Sequence, residues 1–499
     1  MSLFRKKDLT AMLAQSEDGG KGLKRTLGAG NLIALGIGAI IGAGLFVRTA
    51  AAAGQAAGPA VTLSFIIAAV GCAFAGLCYA EFAAMIPIAG SAYAYSYVTM
   101  GELVAWIIGW ALIMEYALGA ATVSIAWSEY LNKLTGGAIP YEWSHSPFES
   151  FTDSLGVAHS GIMNAPALVI LLALTLLLIK GSQESAIVNA VIVFIKVAIV
   201  IIFIAIGWQF IKPENHTPYL IPAGQAAVTD SAGKVIADYS GTFKHGWGGV
   251  LGGAAIVFFA FIGFDAVSTA AQEAKNPKRD MPIGILGSLV VCTILYILFG
   301  HVLTGVAPWT DFVDPEKGRE ASVAYAISTY MTGYGWLATA VTVAILAGFS
   351  SVILVMLMGQ SRIFYSMSKD GLLPKFFAEV HPTLKTPWKS TILVGAVVSI
   401  VAGFTPISLL GDMTSFGTLF AFTMVCLAVW ILRFRDPNRD RPFKVSGLNI
   451  IAPLGIVVNT FLILNLGRTA QIFAMAWLLF GLVVYFLYGR PRSLLNTRE

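Results

Sequence analysis

Charge is scarce in this chain. Asp, Glu, Lys and Arg make up only 12% of its 499 residues, where a soluble protein carries roughly 25%. A larger water-soluble interior does not account for the shortage, because single cores stop growing near ~250–300 residues and divide. Cysteine is nearly missing too. Cys72, Cys78, Cys292 and Cys426 are the only four, and all sit inside apolar runs. This excludes a disulfide framework and zinc-type spacing. There is no Walker loop, no metal-ligand cluster and no loop-borne nucleophile, so the sequence offers no catalytic residue, no metal site, no cofactor and no nucleic-acid partner. Residues 1–22 are polar and basic and lack an apolar core followed by small residues, so they do not read as a cleaved signal peptide.

What is abundant is apolar: 57% hydrophobic residues and 51 glycines. Lipid is the simplest solvent for such a chain. About 20 apolar residues cross a ~30 Å hydrocarbon layer, and the sequence yields about twelve such spans, near 28–54, 59–86, 98–131, 164–180, 185–211, 247–273, 282–306, 334–366, 390–405, 408–433, 450–467 and 470–489. The fold class expected is an all-α polytopic membrane protein. With the first residues placed inside, the inner segments collect most of the 32 Lys and Arg. Among them are Arg5, Lys6, Lys7, Lys275, Lys278, Arg279, Lys369, Arg433, Arg435, Arg439, Arg441, Arg490 and Arg492. The outer side receives only Arg48, Lys133, Lys212, Lys234, Lys244, Lys317, Arg319 and Arg468. The positive-inside bias therefore puts both termini in the cytoplasm, with the chain multi-pass in the cell membrane. The outer loops 132–163, 212–246 and 307–333 read as solvated covers carrying short surface helices, one of them able to gate the outer entrance.

Two spans look interrupted. The first reads Gly36-Ile37-Gly38-Ala39-Ile40-Ile41-Gly42-Ala43-Gly44-Leu45-Phe46, although glycine costs roughly 1 kcal/mol in a helix interior. Close helix packing through Gly38 and Gly42 is one explanation; an unwound stretch around a cavity is the other. The sixth reads Phe258-Phe259-Ala260-Phe261-Ile262-Gly263-Phe264-Asp265, where a glycine and a carboxylate fall half-way along. Matching Gly-interrupted helices in two halves point to a transport site. A break frees N–H groups that attract anions and C=O groups that attract cations. A site with both suits a zwitterion such as an α-amino acid.

At this point a resemblance emerges. Residues Gly38 to Phe46 resemble the first-helix motif of the amino acid–polyamine–organocation (APC) superfamily. Phe258 to Asp265 with the stretch Gln272 to Pro282 resembles its sixth-helix signature. Ser361 to Pro374, continuing through His381-Pro382 and Lys385-Thr386-Pro387, is a third match. The sequence is most similar to bacterial members of the cationic amino acid transporter family, and Arg435 to Val445 supports that placing. The resemblance covers nearly the whole chain. It implies two inverted five-helix repeats with broken helices one and six, at 28–211 and at 247–405 continuing to about 433. Two peripheral helices (450–489) would follow, with cytoplasmic segments at 1–27 and 490–499. It also implies that backbone N–H groups of Gly42, Ala43 and Gly44 meet the substrate carboxylate, and that carbonyls of Ile40, Phe259 and Ile262 meet its ammonium. Phe258 and Ala260 belong to the same signature, and Phe259 would cover the ligand as a gate. Ala43 departs from the hydroxyl residue of several relatives, leaving more to the backbone. A heavy-chain partner linked by a disulfide is not expected, since loop 132–163 has no cysteine. A small non-covalent membrane subunit would leave no trace in the sequence.

Three charges lie deep in the apolar spans. Lys196 is about ten residues, ~15 Å of helix, from the inner end of its span, too far to snorkel comfortably. Burying it costs roughly 2.5–3.5 kcal/mol, and desolvation penalises its charged form. In similar proton-coupled transporters a lysine here replaces a sodium ion, bracing the first break against the eighth helix. Proton coupling and a permanently charged brace both fit. Ser350 and Ser351 could ligate sodium in distant relatives, which an ammonium beside them would repel. Glu115 could pair with a substrate cation, relay protons or bond a neighbour while protonated; Asp265 could relay protons or hold the broken helix. Glu81 and His301, nearer span ends, read as structural.

The expectation is thus an importer of L-amino acids by alternating access, with protons as coupling ion. An exchanger without net proton flux and a membrane amino-acid sensor remain the alternatives. Cationic and small neutral substrates stay equally open.

Overall fold

The computed structural model describes residues 5–7, 27–86, 91–153, 157–180, 185–230, 233–269, 271, 274–314, 317–318, 322–382 and 386–495. Most of the 1–27 segment, the tail 496–499, and motif residues 272–273 and 385 lie outside them. The described residues are helical nearly throughout, with two small antiparallel hairpins, Ser150–Thr152 with Ala158–Ser160 and Val228–Thr229 with Val235–Ala237. Both hairpins fall in the loops 132–163 and 212–246, where surface helices alone were expected.

Among the described residues eight helices are long and apolar enough to cross a membrane, and four more apolar helices are shorter. In order the spans are Ala29–Ile40 with its continuation from Gly44, Val61–Met85, Glu102–Leu134, Ala165–Lys180, Ser185–Gly207, Gly246–Val257 with its continuation, Pro277–Val306, Gly335–Lys369, Trp388–Phe404, Ile407–Arg435, Leu448–Leu464 and Arg468–Val484. The third span was expected from residue 98, but it starts at Glu102. A separate short helix, Ser91–Thr99, precedes it, and Gly101 with φ +99° turns the chain between them. The sixth, expected over 247–273 with an interruption, leaves its helix at Phe261 and resumes it at Ala266–Thr269; residues 270 and 272–273 lie outside the described ones.

The third span packs on the eighth and on the tenth, and the second packs on the seventh. Lipid-facing positions such as Val169, Leu176, Phe194, Val457, Leu464 and Leu487 are more than half exposed, as a membrane protein's periphery requires. Trp208, Trp247 and Trp336 stand exposed at the ends of the fifth, sixth and eighth spans farthest from the basic end. Such tryptophans sit at headgroup level.

Glu81, near the basic end of the second span, is buried and accepts from Arg433 (2.6 and 2.8 Å), from the Val445 N–H (2.9 Å) and lies 3.4 Å from Arg441. Its role is structural: it ties the second span to the tenth and to the loop that follows.

Candidate functional site

The first span is helical to Ile40, whose successor Ile41 is extended (ψ 102°) while its N–H still bonds the Ile37 carbonyl at 2.9 Å. Helical bonding restarts with Leu45 and Phe46 donating to the Gly42 carbonyl at 3.1 and 3.4 Å. Among the described residues, the N–H groups of Gly42, Ala43 and Gly44 donate to no backbone carbonyl. They are the unpaired donors that begin any helix, here at mid-span.

The sixth span leaves the α-helix at Phe258, makes one tight turn to Phe261, and becomes extended at Ile262 (ψ 134°). Gly263 follows with φ +114°, a conformation that costs glycine little and other residues much. A short helix resumes at Ala266–Thr269. The two breaks cross at two points, and each contributes a glycine. A Cβ on Gly44 would collide with the backbone of Ala260, and one on Gly263 would stand 2.8 Å from the Ala39 carbonyl oxygen. The unwinding alternative is present in the first span, and the close backbone approaches are at Gly44 and Gly263 rather than at the Gly38 and Gly42 expected for helix packing.

Ala39, Ile40, Gly42, Ala43, Gly44, Phe259 and Ile262 line a small space with Gly119 and Val123 of the third span and Val352 and Met356 of the eighth. Its volume is about 10 Å³, room for a single water. Phe258 and Ala260 do not line it. The Phe258 ring packs against Phe422 of the tenth span, 5.8 Å between centroids, and Ala260 lies under Gly44.

The carbonyl ends of the breaks are partly engaged. Tyr296 of the seventh span places its hydroxyl 3.0 Å from the Ile40 oxygen and 2.8 Å from that of Ala260. One O–H proton serves one of these acceptors at a time. Phe259's carbonyl accepts the Ile262 N–H at 3.3 Å. Lys196, 1% exposed, donates to the carbonyls of Gly38 (3.0 Å) and Ile41 (3.1 Å). Its stem lies against Gly348 of the eighth span. It thus occupies a cation position behind the break, outside the lined space. The Ser350 hydroxyl is turned back to its own helix, on the Leu346 carbonyl at 2.9 Å.

Glu115 and Asp265 form a second buried group, deeper towards the basic end. Asp265 Oδ2 accepts from Tyr116 at 2.9 Å. Glu115 is wholly buried, and neither of its oxygens accepts a hydrogen bond among the described residues. The neighbouring Thr418 hydroxyl donates to the Thr414 carbonyl instead. Gln360 also leaves its side-chain oxygen unpaired nearby on the eighth span, its amide donating to the Ile113 carbonyl at 3.2 Å.

At the opposite end, Arg48 of the first span meets Asp412 of the tenth at 2.5 Å. Sequence reasoning counted Arg48 only as an outer-side charge, yet it is 5% exposed and paired. It also missed Tyr296, Gly119, Val123, Val352 and Met356. An arginine inside the range 28–54 was the available signal for the first; the others look like ordinary span residues.

The amino acid permease family model matches residues 27–493. A branched-chain amino acid permease of Bacillus subtilis (strain 168) is 42% identical over 497 residues, 99% of either chain. A methylthioribose transporter of the same organism is 40% identical over the same share of both. A vacuolar cationic amino acid transporter of Arabidopsis thaliana is 35% identical over 88% of this chain and 68% of its own.

Proposed function

We propose, from the premise that this chain belongs to the amino acid permease family, a cycle by which it carries amino acids through the cell membrane. It is a multi-pass secondary transporter of amino acids and not an enzyme. The observation carrying the rest is the set of free N–H groups on Gly42, Ala43 and Gly44, lining the same space as the carbonyl end at Ile40. A substrate carboxylate takes those donors, as anions do at helix starts. Its ammonium takes Ile40's second lone pair, while Tyr296 gives its proton to Ala260. Phe259 closes over the ligand.

The remaining lining is apolar: Gly119, Val123, Val352 and Met356. A cationic side chain there would be buried without a partner, which is costly. This favours neutral, apolar amino acids over arginine or lysine, and it agrees with the branched-chain permease among the relatives better than with the cationic transporter. A methylthioribose-like solute would leave the N–H groups without their anion.

Coupling in this reading is by protons. Charged Lys196 clamps Gly38 and Ile41, since bonds from an ammonium are about twice as strong as neutral ones. Loss of its proton loosens the break. Glu115, whose carboxyl oxygens accept no hydrogen bond among the described residues, and Asp265 relay the proton towards the basic end of the molecule. Arg48–Asp412 closes the outer side.

Uptake of labelled leucine and alanine into proteoliposomes, with and without an inward proton gradient, tests this. Accumulation is expected only with the gradient, and Lys196→Ala keeps binding but loses accumulation. Unchanged accumulation in that variant removes the lysine from coupling; uptake of arginine in preference to leucine overturns the substrate class.

A further inference from the structure

Two carboxylates at the cytoplasmic ends of the third and eighth spans each grip both ends of the described chain. Glu102 opens the third span. Its N–H donates to the Arg5 carbonyl at 2.9 Å, and its carboxylate accepts from the hydroxyls of Ser493, Tyr97 (2.9 Å) and Tyr485 (3.0 Å). Asp370 follows the eighth span. Its carboxylate meets Lys7 at 2.5 Å and Tyr93 at 2.7 Å, and its carbonyl accepts the Leu494 N–H at 3.2 Å. Arg5 bonds the Leu495 carbonyl directly at 3.1 Å. The roles are crossed: one carboxylate holds the C-terminal segment by side chain and the N-terminal one by backbone, the other the reverse. Glu102, Asp370 and Ser493 are all more than nine-tenths buried, while the Lys7 side chain is partly exposed.

The placement matters because Arg5–Lys7 leads into the first span. The start of that span is pinned beyond the sixth by the Lys275 N–H on the Leu27 carbonyl at 2.8 Å. The short helix 91–99, which supplies Tyr93 and Tyr97, packs against Ala266–Thr269. On the alternating-access reading, the inward route from the closed site lies between these pieces and the third and eighth spans.

We propose that residues 5–7 and 493–495 form a two-stranded strap that holds the cytoplasmic route shut, and that its release is a step of inward opening. The inference rests on the alternating-access reading. It assigns to the C-terminal segment a part in setting how often the carrier opens inward, although that segment touches no substrate. Glu102 and Asp370 are the fixed posts; Lys7 and Ser493 are the detachable ends, each held by a single side-chain bond to a carboxylate.

The test uses the full chain with Ser268→Cys, a near-isosteric change at a fully buried position on Ala266–Thr269, in a background whose four native cysteines are buried. Maleimide labelling is followed in that chain and in the same chain carrying Lys7→Ala and Ser493→Ala. Losing two charge-assisted bonds is expected to speed labelling roughly tenfold or more, with Ser493→Ala alone giving an intermediate rate. A monodisperse gel-filtration profile shows that faster labelling is opening rather than unfolding. Unchanged labelling in both variants, with leucine uptake by the parent chain intact, overturns the strap. A parent chain that carries no amino acid overturns the alternating-access reading instead.

Discussion

Lys196 and Gly348 share one volume: the lysine's Cε lies 2.7 Å from where a Cβ on Gly348 would stand, and its Cγ and Cδ lie within 3.2 Å of that point. The glycine is the groove through which the ammonium reaches the first break. Gly348→Ala is therefore expected to dislodge the lysine although alanine favours the helix by roughly 1 kcal/mol. The outcome expected is loss of gradient-driven accumulation with retained leucine exchange. Proteoliposome uptake measured in both modes separates the two.

Tyr296→Phe removes the donor shared by Ile40 and Ala260. A buried acceptor left unpaired costs about 1–3 kcal/mol, so the empty protein should unfold at lower temperature. Saturating leucine should leave the difference unchanged, because its ammonium serves Ile40 in both proteins while Ala260 loses its donor only in the variant. Thermal unfolding with and without leucine measures this. A difference that disappears with leucine would place the ammonium on Ala260 instead.

Gly119→Ala fits the closed form, since its Cβ would make ordinary contacts of 3.5 Å to the Thr414 methyl and 3.6 Å to the Met356 sulfur. It consumes space that an open site gives to the substrate side chain. One methyl in an apolar pocket is worth about 1–3 kcal/mol. Leucine should lose affinity roughly 10–200-fold against alanine, read from competition for uptake.

Asp412→Asn leaves the Arg48 guanidinium buried and unpaired, at a cost of about 3–5 kcal/mol. Adding Arg48→Gln should recover most of that stability. The double variant should nonetheless admit membrane-impermeant thiol reagent to an Ile262→Cys site faster than the parent, because the outer closure is gone. A double variant as unstable as the single one would argue against a direct ion pair.

The spans were legible because lipid demands long apolar runs, and the two interruptions because Gly42, Gly44, Gly263 and Asp265 contradict a helix in lipid. Their edges were less so. The separate helix Ser91–Thr99 and the turn at Gly101 hide inside an apolar stretch that reads as one span. The site's side walls were invisible for a different reason. Gly119, Val123, Val352 and Met356 are what any span contains, and only the packing of the third helix on the eighth selects them. Lys196 announced itself as a charge in lipid, but its acceptors, two backbone carbonyls, leave no mark in the sequence. Arg48 was counted only as an outer-side charge because it lies close to a span end, and Tyr296 went unremarked because nothing about an isolated tyrosine names its partner.

The fourth and ninth spans, Ala165–Lys180 and Trp388–Phe404, have 16 and 17 residues and pack side by side, with Gly395 seated against Thr175. At 1.5 Å per residue they reach about 25 Å, short of a ~30 Å hydrocarbon layer. Over the described residues of that flank the mismatch is met by local bilayer thinning or by flanking residues that snorkel, so acyl-chain length becomes a variable the carrier feels at its rim, distant from its solute.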